Sequence, residues 1–216
     1  MKNLVFAAID IGSYNCRLTI VEKKSDQLKT LHSFSCATNL IKNLSFNNEF
    51  TIENTKKTVE CLKNFSEKLK KFEVDCYRCI ATEACRQVIN PEFFVDRVKN
   101  VSGINVEVIS SYEEAKLSLN SCANYIKRMD QRGIIFDIGG GSTEISFFNK
   151  NREIINTSSI SYGVINLSEK KDVYGRDFVK NHLKSHFQMF RNEEFENLKF
   201  DIKAIGSCST VTILCA

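Results

Sequence analysis

The sequence predicts an α/β protein made of two related halves. Three observations carry this. Short β-type runs alternate with amphipathic helical stretches along the chain. The segments AAIDIGSYNCRLTIV (7–21) and IIFDIGGGSTEISFF (134–148) repeat one plan at positions 127 residues apart. Glycine is rare outside three turns, which hold Gly12, Gly139, Gly140, Gly141 and Gly206 among the nine in the chain. Such clustering points to local backbone requirements.

The elements follow in order. LVFAAI, RLTIVE and LKTLHSF read as adjacent antiparallel strands. Residues 51–71 change period: Ile52, Thr55, Val59, Leu62, Phe65 and Leu69 recur every three to four positions, predicting an amphipathic helix with lysines on its wet side. CYRCIAT predicts a strand, NPEFFVDRVKNVSG a helix ended by Gly103, and INVEVIS another strand. A helix then runs through SYEEAKLSLNSCANYIKRM, with Ser110 or Ser111 as its N-cap. The glycine stretch, a polar hairpin, an amphipathic helix around DFVKNHLKSHFQMF and the strand-turn IKAIGSCST complete the series.

Composition narrows the classes. A chain of 216 residues, 43% hydrophobic and 26% charged, suits a soluble protein with a substantial core. No apolar run is long enough to span a membrane, and Asp10 interrupts the start before a signal peptide could form, so the cytoplasm is the expected location, without a membrane partner. The net charge of +4 is mild. Spread along helices, it describes solvated faces, and no nucleic-acid partner is expected. Nine cysteines in such a chain read mainly as small hydrophobes, as at Cys61, Cys79, Cys122 and Cys215. Cys76 and Cys79 form a CxxC on a predicted strand, where residues three apart point to opposite faces and grip no common metal. His182 and His186 share a helix face without a third ligand, which reads as a structural or surface role.

The repeated plan is an apolar strand, Asp-Ile-Gly, a turn of small or polar residues, and a returning strand. Small residues let successive amide N–H groups point into one concavity, which makes an anion site and most naturally a phosphate site. Asp10 and Asp137 end the leading strands, where a carboxylate can hold Mg²⁺ together with several waters. If the two loops face each other across a cleft, they clamp a phosphate chain and its metal from both sides. A lone Asp-Ile-Gly turn reads equally as an ordinary hairpin; two copies and a third small-residue turn, AIGSCST, favour the anion site.

These residues bring a family with them. AAIDIGSYNCRL, ATEACRQ, VEVISSYEEAKL, FDIGGGSTEIS, SYGVINL and AIGSCSTVT stand in the order and spacing of the exopolyphosphatase/guanosine pentaphosphate phosphohydrolase (Ppx/GppA) family, which the chain resembles from Ala7 to about Thr212. The resemblance implies an actin-like ATPase (ribonuclease H-like) α/β fold of two lobes, each a mixed sheet flanked by helices. Residues 1–128 would form the first lobe and residues 129–216 the second, which is expected to lack its closing helices. It implies hydrolysis of a phosphoanhydride, releasing terminal phosphate from inorganic polyphosphate or a guanosine pentaphosphate-type nucleotide, with Mg²⁺ as cofactor. Glu114 corresponds to the general base and Glu144 to a second acid that positions water or metal. Asp10 and Asp137 would support the metal. Ser13, Asn15, Arg17, Arg86, Gly139, Gly140, Gly141, Ser142, Thr143, Gly206 and Ser207 would bind phosphate. Apolar surface left by an unfinished lobe would favour a homodimer.

Other readings stand beside these. Glu114 also completes a Ser111-x-x-Glu capping box, Glu144 also reads as an acid on a strand's polar face, and Arg86 as a surface partner of Glu83. The chain departs from the family pattern at Tyr14 in the first loop, at Cys36, Asn39 and Asn43 where arginines and a glycine are expected, and at Ser209 in the third turn. These departures admit an impaired phosphate-binding or regulatory remnant as the alternative. A kinase of the same superfamily would need a nucleoside pocket, which a chain of this length is not expected to complete.

Overall fold

A computed structural model describes residues 3–25, 27–44, 48–122, 126, 132–151, 153–189 and 203–208. Three strands open the chain: β1 (Leu4–Ile11), β2 (Asn15–Lys24) and β3 (Gln27–Ala37). They pair antiparallel, as their alternating pattern predicts. Helix α1 (Ile52–Lys71) follows, then β4 (Cys76–Ala81), a short α2 (Glu83–Gln87), α3 (Pro91–Ser102) and β5 (Glu107–Val108). β4 returns parallel to β1, giving a five-stranded sheet in the order β3-β2-β1-β4-β5.

Local chemistry accounts for the helix ends. The Thr51 side chain accepts the Asn54 amide at 3.2 Å, an N-cap bond. Pro91 opens α3, and Gly103 closes it with φ 73°, the left-handed conformation that favours glycine. Along α1 the buried residues are Asn54, Thr58, Val59, Cys61, Leu62, Phe65 and Leu69. Ile52, expected in this stripe, is 84% exposed. It sits in the opening turn at the stripe's edge, whereas Thr58 reaches the interior by donating its hydroxyl to the Asn54 carbonyl at 2.7 Å. The expected INVEVIS strand shrinks to two paired residues, because β5 is an edge strand that meets only the end of β4. Cys76 is exposed and Cys79 buried, on opposite faces of β4 as the strand reading requires.

The chain divides into two compact units, Met1–Ser110 and Ser111–Ala216. Helix α4 (Ser111–Ser121) therefore belongs to the second, although the sequence reading grouped it with the first. The reason is packing: Leu119, Cys122 and Ile126 bury themselves with Ile135 and Phe148. Those two residues lie on β6 (Gly133–Ile138) and β7 (Thr143–Phe148). β8 (Ile154–Ile160), α5 (Val164–Tyr174), α6 (Arg176–Met189) and β9 (Lys203–Gly206) complete the unit. Its sheet runs β8-β7-β6-β9, with β9 parallel to β6, repeating the first unit's β3-β2-β1-β4 arrangement. α6 is the amphipathic helix read from the sequence. α5 escaped that reading because its apolar residues form no single stripe. Among the described residues, no helix is long and apolar enough to cross a membrane.

The first unit's core holds Ile9, Ile11, Leu18 and Ile20 of the sheet against Leu62 and Phe65 of α1. Leu62→Ala should destabilise the chain by about 2–5 kcal/mol through lost burial and a residual cavity. Urea denaturation followed by circular dichroism measures the change.

Candidate functional site

Each unit carries an Asp-Ile-Gly hairpin, and the two close in the same way. In the first, the Gly12 amide donates to the Asn15 carbonyl at 3.0 Å; in the second, the Gly139 amide donates to the Ser142 carbonyl at 2.9 Å. Ile11 pairs with Cys16 and Asp10 with Arg17, just as Ile138 pairs with Thr143 and Asp137 with Glu144. A Cβ at Gly12 would meet the Asn15 carbonyl oxygen at 3.0 Å, and one at Gly139 the Ser142 oxygen at 3.3 Å. The repeated plan is therefore a repeated hydrogen-bonded turn.

What holds each loop comes from the segment after the unit's third strand. In the first unit, Ile41 donates its amide to the Ser13 carbonyl at 3.1 Å, while Thr38 and Asn39 both donate to Tyr14 at 2.9 Å. Ser13 is buried, and Tyr14 is 46% exposed at the tip. In the second unit the holding segment is Ser161–Asn166, which leads into α5. Val164 and Ile165 donate their amides to the carbonyls of Gly139 and Gly140 at 3.0 and 2.9 Å. The Asn166 side chain donates to the Gly141 carbonyl at 2.9 Å, and the Thr143 hydroxyl donates to the Tyr162 carbonyl at 2.7 Å.

The consequence for the backbone is direct. In a trans peptide the C=O and the following N–H point in opposite directions. Turning the carbonyls of Gly139, Gly140 and Gly141 onto the holding segment turns the amides of Gly140, Gly141 and Ser142 away from it. Among the described residues, the Gly140 and Gly141 amides donate to no backbone carbonyl. Successive amides directed to one side form a nest for an anion.

Carboxylates lie beside this nest. Asp137 and Glu144 are directly opposite on β6 and β7, and Glu144 pairs in turn with Ser159 of β8, so all three share one sheet face. The Ser159 hydroxyl donates to Glu144 Oε1 at 2.9 Å, and Glu144 is 5% exposed, an interior acid rather than a surface one. This is also the face of Ile135 and Phe148, on which α4 packs, and Glu114 stands half-buried near the start of that helix. The helix opens at Ser111, which places Glu113, not Glu114, three residues after Ser110. On the other side of β6, Gly206 pairs with Phe136, and the next residue, Ser207, donates its amide to the Phe136 carbonyl at 3.1 Å. The Ser207 hydroxyl oxygen is buried without a hydrogen-bond partner among the described residues. Ser209 lies outside them.

In the first unit, Asp10 faces Arg17 rather than a second carboxylate. Arg86 is committed elsewhere: its guanidinium donates twice to Glu83 Oε2, at 3.1 and 2.8 Å, and once to the Ile109 carbonyl at 3.1 Å. The expected Arg86–Glu83 pair is present but largely buried. Burial, followed by the nearby Asp10 charge, raises the Cys79 thiol, and burial pushes Cys85 up to about 12, so both remain protonated at neutral pH. His182 hydrogen-bonds the Tyr162 hydroxyl and stacks on Phe178, a structural role; the His186 side chain lies outside the described residues.

Two opposed carboxylates repel unless a cation lies between them. Mg²⁺ typically takes one or two carboxylates and several waters, so Asp137 and Glu144 fit its donor set. Among the described residues no cluster of three His, Cys, Asp or Glu side chains could hold an ion unaided.

A family model described as the Ppx/GppA phosphatase family matches residues 19–216, and the chain belongs to that family. Its fold is the actin-like one. A guanosine-5'-triphosphate,3'-diphosphate pyrophosphatase of Photobacterium profundum is 32% identical over 141 residues, covering 65% of this chain and 28% of that protein. A bifunctional 3-dehydroquinate synthase/phosphatase of Fusobacterium nucleatum is 26% identical over 232 aligned positions, covering 98% of this chain and 34% of that protein. The chain thus spans about a third of the length of these relatives. The crystal structure of an exopolyphosphatase from Cytophaga hutchinsonii superposes with a TM-score of 0.82 at 26% identity, covering 94% of this chain and 66% of that one.

Within SYGVINL, neither Gly163 nor Asn166 carries a periodic or motif signal of a role. A Cβ at Gly163 would lie 2.4 Å from the carbonyl carbon of Gly140 and 2.5 Å from both Gly139 O and Gly141 N, all backbone atoms. Gly163→Ala should therefore push the holding segment off the loop, destabilising the chain by about 1–3 kcal/mol or more. Thermal unfolding reads the loss, and ¹⁵N shifts of Gly139–Gly141 should move with it.

Proposed function

We propose that this chain hydrolyses phosphoanhydrides, releasing terminal phosphate from inorganic polyphosphate or from a guanosine pentaphosphate-type nucleotide. The observation that carries the proposal is the second hairpin, where three amides turn outward beside the paired carboxylates Asp137 and Glu144. Family membership and the activities for which the Photobacterium and Cytophaga proteins are named support the same substrate class.

The amides of Gly140, Gly141 and Ser142 hold the oxygens of the terminal phosphoryl group, and the Ser207 hydroxyl adds a donor at the same end of the sheet. Glu114 takes a proton from a water molecule as its oxygen attacks the terminal phosphorus. The bond from that phosphorus to the bridging oxygen breaks, and the bridging oxygen leaves with the shortened chain or nucleotide. Water needs such a base at neutral pH, and the rest of the acceleration is positioning and charge neutralisation. Asp137 and Glu144 would hold Mg²⁺, which supplies positive charge to the phosphate oxygens when bound. In the first unit, the Ser13–Asn15 turn with Arg17 is a second anion-binding element, with Asp10 as its acid. Arg86, already paired with Glu83, sets the edge of that unit's site more than it supplies free charge.

Tyr14 favours a second reading. Its exposed ring at the first loop's tip suits a protein that binds phosphate without efficient turnover. One assay separates the two: phosphate release from polyphosphate and from guanosine pentaphosphate with Mg²⁺, by the native chain and by Glu114→Ala. Hydrolysis should be present in the native chain and fall by about 10²–10⁴-fold in the variant, with binding retained. An unchanged rate in Glu114→Ala removes that residue as base, and binding without release in the native chain establishes the second reading.

A further inference from the structure

We propose that Asn166 is the positioning residue of the second anion loop, fixing the peptide between Gly141 and Ser142 so that the Ser142 amide faces the phosphate. The inference rests on the phosphohydrolase reading and adds to it a residue to which the sequence assigned no role.

Asn166 is 3% exposed, and its amide is satisfied on both sides. Oδ1 accepts from the Gly163 amide at 2.7 Å; Nδ2 donates to the Gly141 carbonyl at 2.9 Å and to the Ser161 carbonyl at 3.0 Å. A flipped amide would set oxygen against two carbonyls and NH₂ against an N–H, so the network admits one orientation. Of the three glycine carbonyls, those of Gly139 and Gly140 are held by main-chain amides, which any residues but proline at 164 and 165 would supply. The Gly141 carbonyl is held by the Asn166 side chain. Glycine at 141 offers little resistance to rotation of its peptide. Without the Nδ2 donor, that peptide is free to turn, and the third amide of the nest turns with it. The hydrogen bonds of Asn166 go to Gly163, Gly141 and Ser161, so it acts through the loop and its holding segment.

The test follows the amides of Gly140, Gly141 and Ser142 by ¹H–¹⁵N NMR while inorganic phosphate is titrated into the native chain, Asn166→Asp and Asn166→Ser. The aspartate variant keeps the shape and the acceptor but turns an oxygen toward Gly141. The serine variant removes the donor without adding charge, and stands in if the aspartate variant does not fold. In the native chain all three amides should shift together. In the variants the Ser142 response should disappear while Gly140 and Gly141 keep theirs, with phosphate affinity about tenfold weaker. With polyphosphate as substrate, KM should rise while the pH profile of kcat, set by the base, stays in place. General destabilisation would disturb the three amides alike and leave no such pattern.

Native-like response and affinity in Asn166→Ser would overturn the assignment. So would rapid solvent exchange of the Asn166 side-chain NH₂ in the native chain, a measurement that needs no variant. If phosphate shifts none of the three amides in the native chain, the anion reading itself falls and the role of Asn166 falls with it; an effect seen in the native chain but unaltered in the variants refutes Asn166 alone.

Discussion

The antiparallel directions of C=O and N–H in a trans peptide are the constraint on which the second unit's chemistry depends. Three consecutive carbonyls at Gly139–Gly141 are drawn onto one segment, two by main-chain amides and one by a side chain. The amides of the next three residues then have only the opposite side to face. The glycines serve this arrangement twice. They keep the loop surface free of side chains, and they let Gly163 approach the loop backbone so closely that not even a methyl group fits between them. The interruption of a strand-like run by three glycines is thus a packing requirement as much as a conformational one.

The duplicated hairpin shows how one geometry is given two electrostatic settings. Both turns close with the same bond, and both leading strands carry an aspartate one residue before their end with a charged residue directly opposite. Opposite Asp10 that residue is Arg17, which tends to neutralise it. Opposite Asp137 it is Glu144, buried and bonded to Ser159, which concentrates negative charge suited to a divalent cation. The holding segments diverge too: a loop with Asn39 and Asn43 at positive φ in the first unit, the lead-in to a helix in the second. Backbone architecture was copied, while the charges around it were not.

Charge that sequence comparison would count as available is partly spent inside the fold. Arg86 is matched to a phosphate-facing position by family resemblance, yet its guanidinium is occupied by Glu83 and the Ile109 carbonyl in a largely buried pair. Breaking a buried pair strands the remaining charge, so Arg86 and Glu83 behave as one unit. The second unit's acids are differently placed. Glu144 is interior and bonded to a neutral hydroxyl, and its register partner is a second acid beside the glycine loop rather than a base.

The sequence by itself determined the local features. Period-two runs marked β1, β2, β6 and β7, a three-to-four period marked α1, Gly103 marked the end of α3, and the Asp-Ile-Gly repeats marked both hairpin turns. Each depends on residues a few positions apart, and their physics is carried by neighbours in the chain. Tertiary structure decided what distant segments do to one another. It buried α4 on the second sheet, left Ile52 outside its stripe, set Ser159 beside Glu144 through strand register, and brought Asn166 to a carbonyl 25 residues earlier. Composition and periodicity record the face a residue presents, whereas a single hydrogen bond between separated segments leaves no periodic trace, which is why the loop was legible and the side chain that orients it was not.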